Sequence, residues 1–318
     1  MKNEKQRIIA VAGSTASGKS GLAFALAKEF NGEIISCDSM QVYREMNIGT
    51  AKPTPSEQKE VRHHMIDIIS PFYAFSCEDY VTLASKAISD CIGRGKLPII
   101  CGGTGLYLDA LLRGGNSAPD TSSESIRKEL TALAEKEGAL AMHRRLARVD
   151  PESAASIHPN NQKRVIRALE IYLSCGKTKS ELDRLSRELD SPYDATVAVL
   201  KYNNRSTLYD RIDKRVDIML DEGLVEETER LYGMGVFDAN STAAQAIGYK
   251  ELLGYIRGEE TLDAASEELK KATRRYAKRQ MTWFSAKPYS TPLAMDGEDG
   301  MKTFEEIVNN AARLFSLL

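Results

Sequence analysis

Short apolar runs alternate with helical periodicities through the N-terminal part of the chain. "RIIAVA" (7–12) is apolar, short and followed by glycine, the pattern of a buried strand, and "GLAFALAKEF" (21–30) carries apolar residues at helical spacing. "EIISCDS" predicts a second strand ending at Asp38, and "HMIDII" (64–69) a short third one. "SCEDYVTLASKAISDCIGRG" predicts a helix with Ser76 as N-cap, Asp79 three residues on and a glycine beyond its end. "LPIICGGTG" is the next strand, and its end carries Gly102, Gly103 and Thr104. Strands alternating with helices predict a parallel sheet covered on both faces, an α/β fold.

Beyond "LLRGGNSAPD" the pattern changes. Residues 121 to about 190 are charged and helical without a strand, and "ATVAVLKY" (195–202) then resumes the strand pattern. The expected organisation is one α/β core, 1–120 with 195–318, interrupted by a helical insertion at 121–194. The remainder reads as helical: 206–223, then "EETERLYGMG", then a basic helix around 266–284.

With 42% hydrophobic and 28% charged residues over 318 positions, the chain can bury a full core, and nothing points to disorder. No stretch approaches a membrane span, and no signal-peptide core is present. Five cysteines, an odd number without C-x-x-C spacing, argue against a disulfide framework and a zinc site, so a cytoplasmic location is expected. The net charge of −2 hides an uneven distribution, because no acidic residue occurs between Leu269 and Met295.

The chemistry concentrates at strand ends. Gly13, Gly18, Lys19 and Ser20 fit G-x-x-x-x-G-K-[ST] between a strand and a helix. In that setting backbone N–H groups curl around a phosphate, the lysine adds a full charge and the serine hydroxyl is the usual Mg²⁺ ligand. Asp38 ends the next strand and faces the same crevice, as a reacting acid or as a loop cap. Thr104 reads as a further donor there, or as a plain helix N-cap. In "NQKRVIRALEIYLSCG", Val165, Ile166, Leu169, Tyr172 and Leu173 form an apolar face with Lys163, Arg164 and Arg167 opposite. Arg211 and Arg215 lie one turn apart, suited to clamping a diphosphate or to pairing with aspartates of their own helix. On the basic helix, Lys270, Arg274 and Lys278 form one row and Lys271, Arg275 and Arg279 the next, with Tyr276, Trp283 and Phe284 nearby. Such a continuous cationic face suits nucleic acid.

"GSTASGKS", "ISCDSMQVYREMNIGTAKP", "GGTGLYLDALLRG", "IHPNNQKRVIRALEIY", "LYDRIDKRVDIMLDEGL", "TAAQAIGYKEL" and "RRYAKRQMTWF" follow one another in the order seen in tRNA dimethylallyltransferases. The chain resembles the bacterial type of that family over nearly its whole length. It departs at Ser14, where the family commonly has proline, and lacks the C-terminal zinc finger of eukaryotic members. The resemblance implies a P-loop NTPase-like (nucleotide-kinase-like) core and transfer of a dimethylallyl group from dimethylallyl diphosphate to the exocyclic amine of the tRNA adenine just 3′ of the anticodon. Gly13, Ser14, Thr15, Ala16, Ser17, Gly18, Lys19 and Ser20 would then hold the diphosphate with Mg²⁺, Ser20 being the metal ligand. Arg215, with Arg211 as second choice, would complete the clamp. Asp38 would orient the amine and take its proton, with Thr15 and Thr104 near the reacting centre. The anticodon stem-loop would be gripped by Asp38, Ser39, Met40, Gln41 and Thr104, by Gln162, Lys163, Arg164, Val165, Ile166 and Arg167, by Lys250, and by Lys271, Arg274, Arg275, Lys278, Arg279 and Trp283. A monomer is expected. The competing readings are a P-loop nucleotide or metabolite kinase, a prenyltransferase acting on free adenine nucleotides, and an RNA-binding protein without chemistry.

Overall fold

β1 (Gln6–Gly13) is the predicted apolar run, and from Ile8 onward every residue is buried, as a strand covered on both faces requires. In the computed structural model, which describes residues 5–114, 123–188, 190–239, 241–297 and 300–317, it sits near the middle of a six-stranded parallel sheet. The other strands are β2 (Gly32–Ser36), β3 (His63–His64), β4 (Leu97–Gly102), β5 (Tyr193–Lys201) and β6 (Ser290–Ala294), in the order β3-β2-β4-β1-β5-β6. The register sets Ala12 beside Gly102 and Gly13 beside Leu200, so the ends of three central strands open at one level. Helices α1 (Lys19–Glu29), α2 (Pro55–Glu60), α3 (Cys77–Gly93) and α4 (Gly105–Leu112) follow in order. Leu22 and Leu26 of α1 pack into a core shared with Ile9, Leu200 and Phe315.

The chain divides into two compact units, Met1–Leu111 with Tyr193–Leu318, and Leu112–Pro192. The second begins before the expected position 121, which itself lies outside the described residues. It holds α5 (Glu124–Glu137), α6 (Ala139–Val149), α7 (Pro151–Ser156), α8 (Gln162–Cys175) and α9 (Lys179–Glu188) around its own core of Leu130, Met142, Leu146, Val165 and Leu169. The first unit is completed by α10 (Arg205–Asp221), α11 (Leu224–Gly233), α12 (Leu253–Ile256), α13 (Leu262–Ser285) and α14 (Phe304–Leu314).

Local signals translated well where they were local. Ser76 accepts from Asp79 N at 3.0 Å while the Asp79 carboxylate accepts from Ser76 N at 2.9 Å, the reciprocal cap expected at the start of α3. Three expectations need correction. The second strand stops at Ser36, leaving Asp38 in the following loop. The third strand shrinks to two residues because Met65 (φ 64°) and Asp67 (φ 55°) adopt left-handed backbone, which ends extended pairing. The region beyond 202 is not wholly helical, since "STPLA" pairs with β5 as an edge strand. Pro292 obscures its pattern, yet proline is tolerated at an edge.

At the far end of β2 from these strand ends, buried Glu33 gathers donors. His64 Nε2 lies 2.7 Å from its Oε2, Cys91 Sγ donates at 3.4 Å, and Arg94 contacts both carboxylate oxygens. The guanidinium already supplies the positive charge that the carboxylate needs. Hydrogen bonding from Arg94, outweighing burial, holds the Glu33 carboxyl down at about 2. The depressed value fixes the sign of its pH effect: the stabilisation is complete above the unfolded value of 4.5 and is lost as pH falls through about 2. After discounting for the exposure of Arg94, we expect Glu33→Gln to lose roughly 2 kcal/mol at neutral pH. The difference from wild type should shrink toward pH 3 in urea titrations, and a difference independent of pH would contradict the assignment.

Candidate active site

The phosphate loop is built by turning carbonyls outward. Ala16 (φ 59°) and Gly18 (φ 93°) curl the chain, the latter in a conformation that only glycine adopts cheaply. Lys19 Nζ donates to Ser14 O at 3.2 Å, Arg211 Nε to Ala16 O at 3.0 Å, and Tyr202 OH to Ser17 O at 3.2 Å. With these carbonyls occupied, and with no side chain capping α1, its first N–H groups are left for an anion. Arg211 also lies over the Tyr202 ring, 5.9 Å from its centroid.

A cavity of about 390 Å³ opens in front of the loop. Lys19 and Arg215 both line it, and neither has an ion-pair partner among the described residues. Burial, the largest influence, lowers the pKa of each, opposed for Lys19 by the Cys101 thiol and by Asp38 and for Arg215 by Glu222. Two partly desolvated cations on one wall give the cavity a positive field suited to an anion. Ser20 and Asp38 line the same space, as do Ile212, Val216 and Met219 along one face of α10. Burial pushes the Cys101 thiol up to about 11 and raises Cys37 as well, so neither is a thiolate nucleophile at neutral pH.

Asp38 Oδ1 accepts from Met40 N at 2.8 Å and from Gln41 N at 3.4 Å. The loop-cap reading of this residue holds. One oxygen caps the loop, and no described hydrogen bond reaches the other. The opposite wall is α13, which contributes Leu269, Thr273, Tyr276, Arg279 and Gln280. Burial, aided by the charge of Asp38, raises the Tyr276 phenol, which stays protonated. Below the cavity, Glu227 of α11 accepts from the backbone N of Asn47, Ile48 and Gly49 at 2.9–3.2 Å and from Tyr249 OH at 2.7 Å. This buried carboxylate fixes the "NIGT" turn that lines the pocket at Gly49 and Thr50.

A family model described as IPP transferase matches residues 41–287, more than half of the chain. The chain belongs to the IPP transferase family. A second model, isopentenyl transferase, matches residues 6–71. The chain is 47% identical over 305 residues to the tRNA dimethylallyltransferase of Halalkalibacterium halodurans, covering 96% of each. It is 49% identical over 288 residues to that of Bacillus subtilis, covering 90% of each. It is similar to the solved full-length tRNA isopentenylpyrophosphate transferase from Bacillus halodurans, with TM-score 0.70, 43% identity and 98% of each chain covered. A eukaryotic dimethylallyltransferase acting on tRNA superposes with TM-score 0.77 at 32% identity, over 91% of this chain and 74% of that one. The P-loop NTPase-like core expected from the sequence is the fold of this family.

Within this IPP transferase, Thr15, Ala16, Gly18, Lys19, Ser20, Asp38, Ser39, Met40, Gln41, Arg215, Lys250 and Arg279 converge on one cavity, as a single site requires. Several expected residues also make contacts within the protein. Arg211 braces the loop at Ala16 rather than lining this cavity, and it pairs with no aspartate of its own helix. Thr104 lies behind the wall, where its Oγ1 accepts from Ser39 N at 3.0 Å and ties two strand ends together. Both amide atoms of Gln41 are used internally: Oε1 accepts from Ser36 Oγ, and Nε2 donates to Thr50 O and Ala51 O.

The continuous cationic face of α13 is not free. Lys270 pairs with Asp217 at 2.7 Å, Arg274 with Asp213, and Lys271 and Arg275 with Glu268. The acids come from α10 and from the preceding turn, which charge spacing along one helix does not reveal. Lys278 and Arg279 have no ion pair among the described residues. Trp283 packs on Gly105 beneath Lys287, whose Nζ lies 4.5 Å from the ring centroid, and is not displayed for stacking on a base. In the helical unit, taken by itself, Val165 is fully buried in the core, Ile166 packs against that core, and Arg167 pairs with Glu170 at 3.0 Å. Leu173, expected on the apolar face, is 56% exposed. Lys163 and Arg164 are exposed, and Gln162 begins α8.

Sequence reasoning missed Gln280, Glu227 and Tyr249. Their only local signal was a polar residue inside an amphipathic helix or a tyrosine in a turn, and their partners are remote in the chain. If Arg215 completes the anion site, Arg215→Ala should weaken binding of inorganic pyrophosphate by roughly 10- to 100-fold in calorimetry, the loss of charge-assisted hydrogen bonds. An unchanged dissociation constant would remove it from that site.

Proposed function

We propose that this enzyme transfers a dimethylallyl group from dimethylallyl diphosphate to the exocyclic amine of the adenine 3′-adjacent to the anticodon of tRNA. The observation that carries this reading is the pair of half-buried cations, Lys19 and Arg215, without ion-pair partners among the described residues, in a cavity that also has an apolar wall and a carboxylate. A diphosphate, a short hydrocarbon and a weakly nucleophilic amine each find their counterpart there.

The loop holds the leaving group. As the allylic C–O bond breaks, its electron pair goes to the diphosphate, and the backbone N–H groups of α1 with Lys19 and Arg215 stabilise the growing charge. Ile212, Val216 and Met219 exclude water from the carbon that becomes electron-poor. The adenine amine supplies the pair for the new C–N bond and passes a proton to Asp38, whose cap to Met40 fixes its orientation. The Ser20 hydroxyl, a hard oxygen donor on the same cavity, would hold Mg²⁺ beside the diphosphate oxygens. Bound there, the ion would offset diphosphate charge.

Lys278 and Arg279, which lack ion pairs, support a polyanionic acceptor over a free nucleotide. The apolar wall supports a prenyl donor over a phosphoryl donor, which disfavours a kinase. The five free cysteines accord with a reducing compartment. No helix among the described residues is long and apolar enough to cross a membrane.

The test is incubation with unmodified tRNA, Mg²⁺ and radiolabelled dimethylallyl diphosphate, with AMP and ATP arms in parallel. Label should enter tRNA and not AMP. Asp38→Asn retains Oδ1 for the Met40 and Gln41 caps, so the protein should fold normally while turnover falls roughly 10²-fold or more. Label in AMP would overturn the tRNA acceptor, and turnover of ATP without label transfer would restore the kinase reading.

A further inference from the structure

Gln280 is 6% exposed, on the inward face of α13. Its side chain spans two elements that the proposed reaction uses. Oε1 accepts from Thr15 N at 2.8 Å, inside the phosphate loop, and Nε2 donates to Gly103 O at 2.9 Å, just past the end of β4. The approach is so close that a Cβ on Gly103 would lie 2.3 Å from Nε2, so the absence of a side chain there is a condition of the contact. One amide thus uses both its donor and its acceptor to fasten a helix to a loop and a strand end.

The placement gives this fastening a consequence. Arg279, the neighbouring residue, lines the cavity, and Tyr276, one turn earlier, does so too. Lys278 and Arg279 are also the cations of α13 without ion pairs among the described residues. The segment that meets the acceptor is therefore the one that holds the first peptide of the diphosphate loop. Thr15 N–H is drawn toward Gln280, and its direction depends on where α13 sits.

We propose that Gln280 is a positioning residue through which tRNA and diphosphate bind cooperatively. The proposal rests on the prenyl-transfer reading above. Engagement of the α13 cations by RNA fixes the helix, and Gln280 passes that position to the loop, so each ligand strengthens binding of the other by the same factor. A purely structural role predicts something different, a uniform loss of stability and affinity that leaves this factor untouched.

The experiment measures the dissociation constant of inorganic pyrophosphate with Mg²⁺, with and without a saturating anticodon stem-loop RNA, on the full chain. Wild type should bind pyrophosphate about 5- to 150-fold more tightly in the presence of RNA. Gln280→Glu keeps the acceptor for Thr15 N but removes the donor to Gly103 O, and Gln280→Met removes both. The added charge of the glutamate acts equally in the two arms, so it cancels in the ratio. Both variants should bring the ratio close to one while RNA affinity stays at the wild-type value. If Gln280→Met fails to fold, Gln280→Glu decides the matter. A wild-type ratio in Gln280→Glu, or no coupling in wild type, overturns the proposal. Wild-type protein that transfers no dimethylallyl label to tRNA would instead sink the underlying reading, and labelled tRNA with uncoupled binding sinks only the role of Gln280.

Discussion

Everything around the cavity follows from holding two half-buried cations without an ion-pair partner for either among the described residues. Lys19 and Arg215 are half-buried, and desolvation pushes both pKa values down. Leaving such charges uncompensated is expensive, and a protein tolerates it only where a ligand completes the set. An internal acid beside them would remove the cost and with it the affinity for an anion. Asp38 lies close enough to be felt by both, yet it is held by its own loop through Met40 N and Gln41 N instead of pairing with either. The site keeps its positive and negative halves separate, which the proposed transfer requires if one is to stabilise a leaving anion while the other accepts a proton.

Other buried carboxylates receive the opposite treatment. Glu227 takes three backbone N–H groups and a phenol, and Glu33 takes a guanidinium, a thiol and an imidazole. These acids are satisfied internally and serve as fasteners, Glu227 for the turn at 47–49 and Glu33 for the outer edge of the sheet. The contrast between satisfied acids and unsatisfied cations separates scaffold from site without reference to any relative.

The features legible in the sequence were those whose physics is local. The phosphate loop is a run of consecutive residues, Asp38 sits a few positions from a strand, and the Ser76–Asp79 cap spans three positions. What stayed hidden depends on distance along the chain. Gln280 meets Thr15 across 265 residues, and Glu227 meets Gly49 across 178. The ion pairs of α13 stayed hidden for the same reason, since Asp213 and Asp217 belong to a helix that periodicity cannot place beside it. Thr104 and Gln41 were found as members of the right motifs, but motif membership does not say whether a polar side chain faces a ligand or a backbone. Strand β6 was lost to a proline that only its edge position makes harmless.

The contacts around the loop close into a ring. α13 holds the loop through Gln280, α10 holds it through Arg211 at Ala16 O, and the two helices are joined by Arg274–Asp213 and Lys270–Asp217. Single exposed ion pairs contribute little, about 0–1 kcal/mol each. In a closed ring, however, each contact restricts the freedom of the next, and the pair at Arg274 is partly buried. The cations that looked like a ligand-binding face therefore act first within the protein, where they set the spacing of the two helices that aim the loop. Lys278 and Arg279 have no ion pair among the described residues, and Arg279, which lies over the Tyr276 ring, borders the cavity. The basic helix divides its charge along its length, with its earlier turns fastening the loop's supports and the turn at 278–279 free of ion pairs among the described residues.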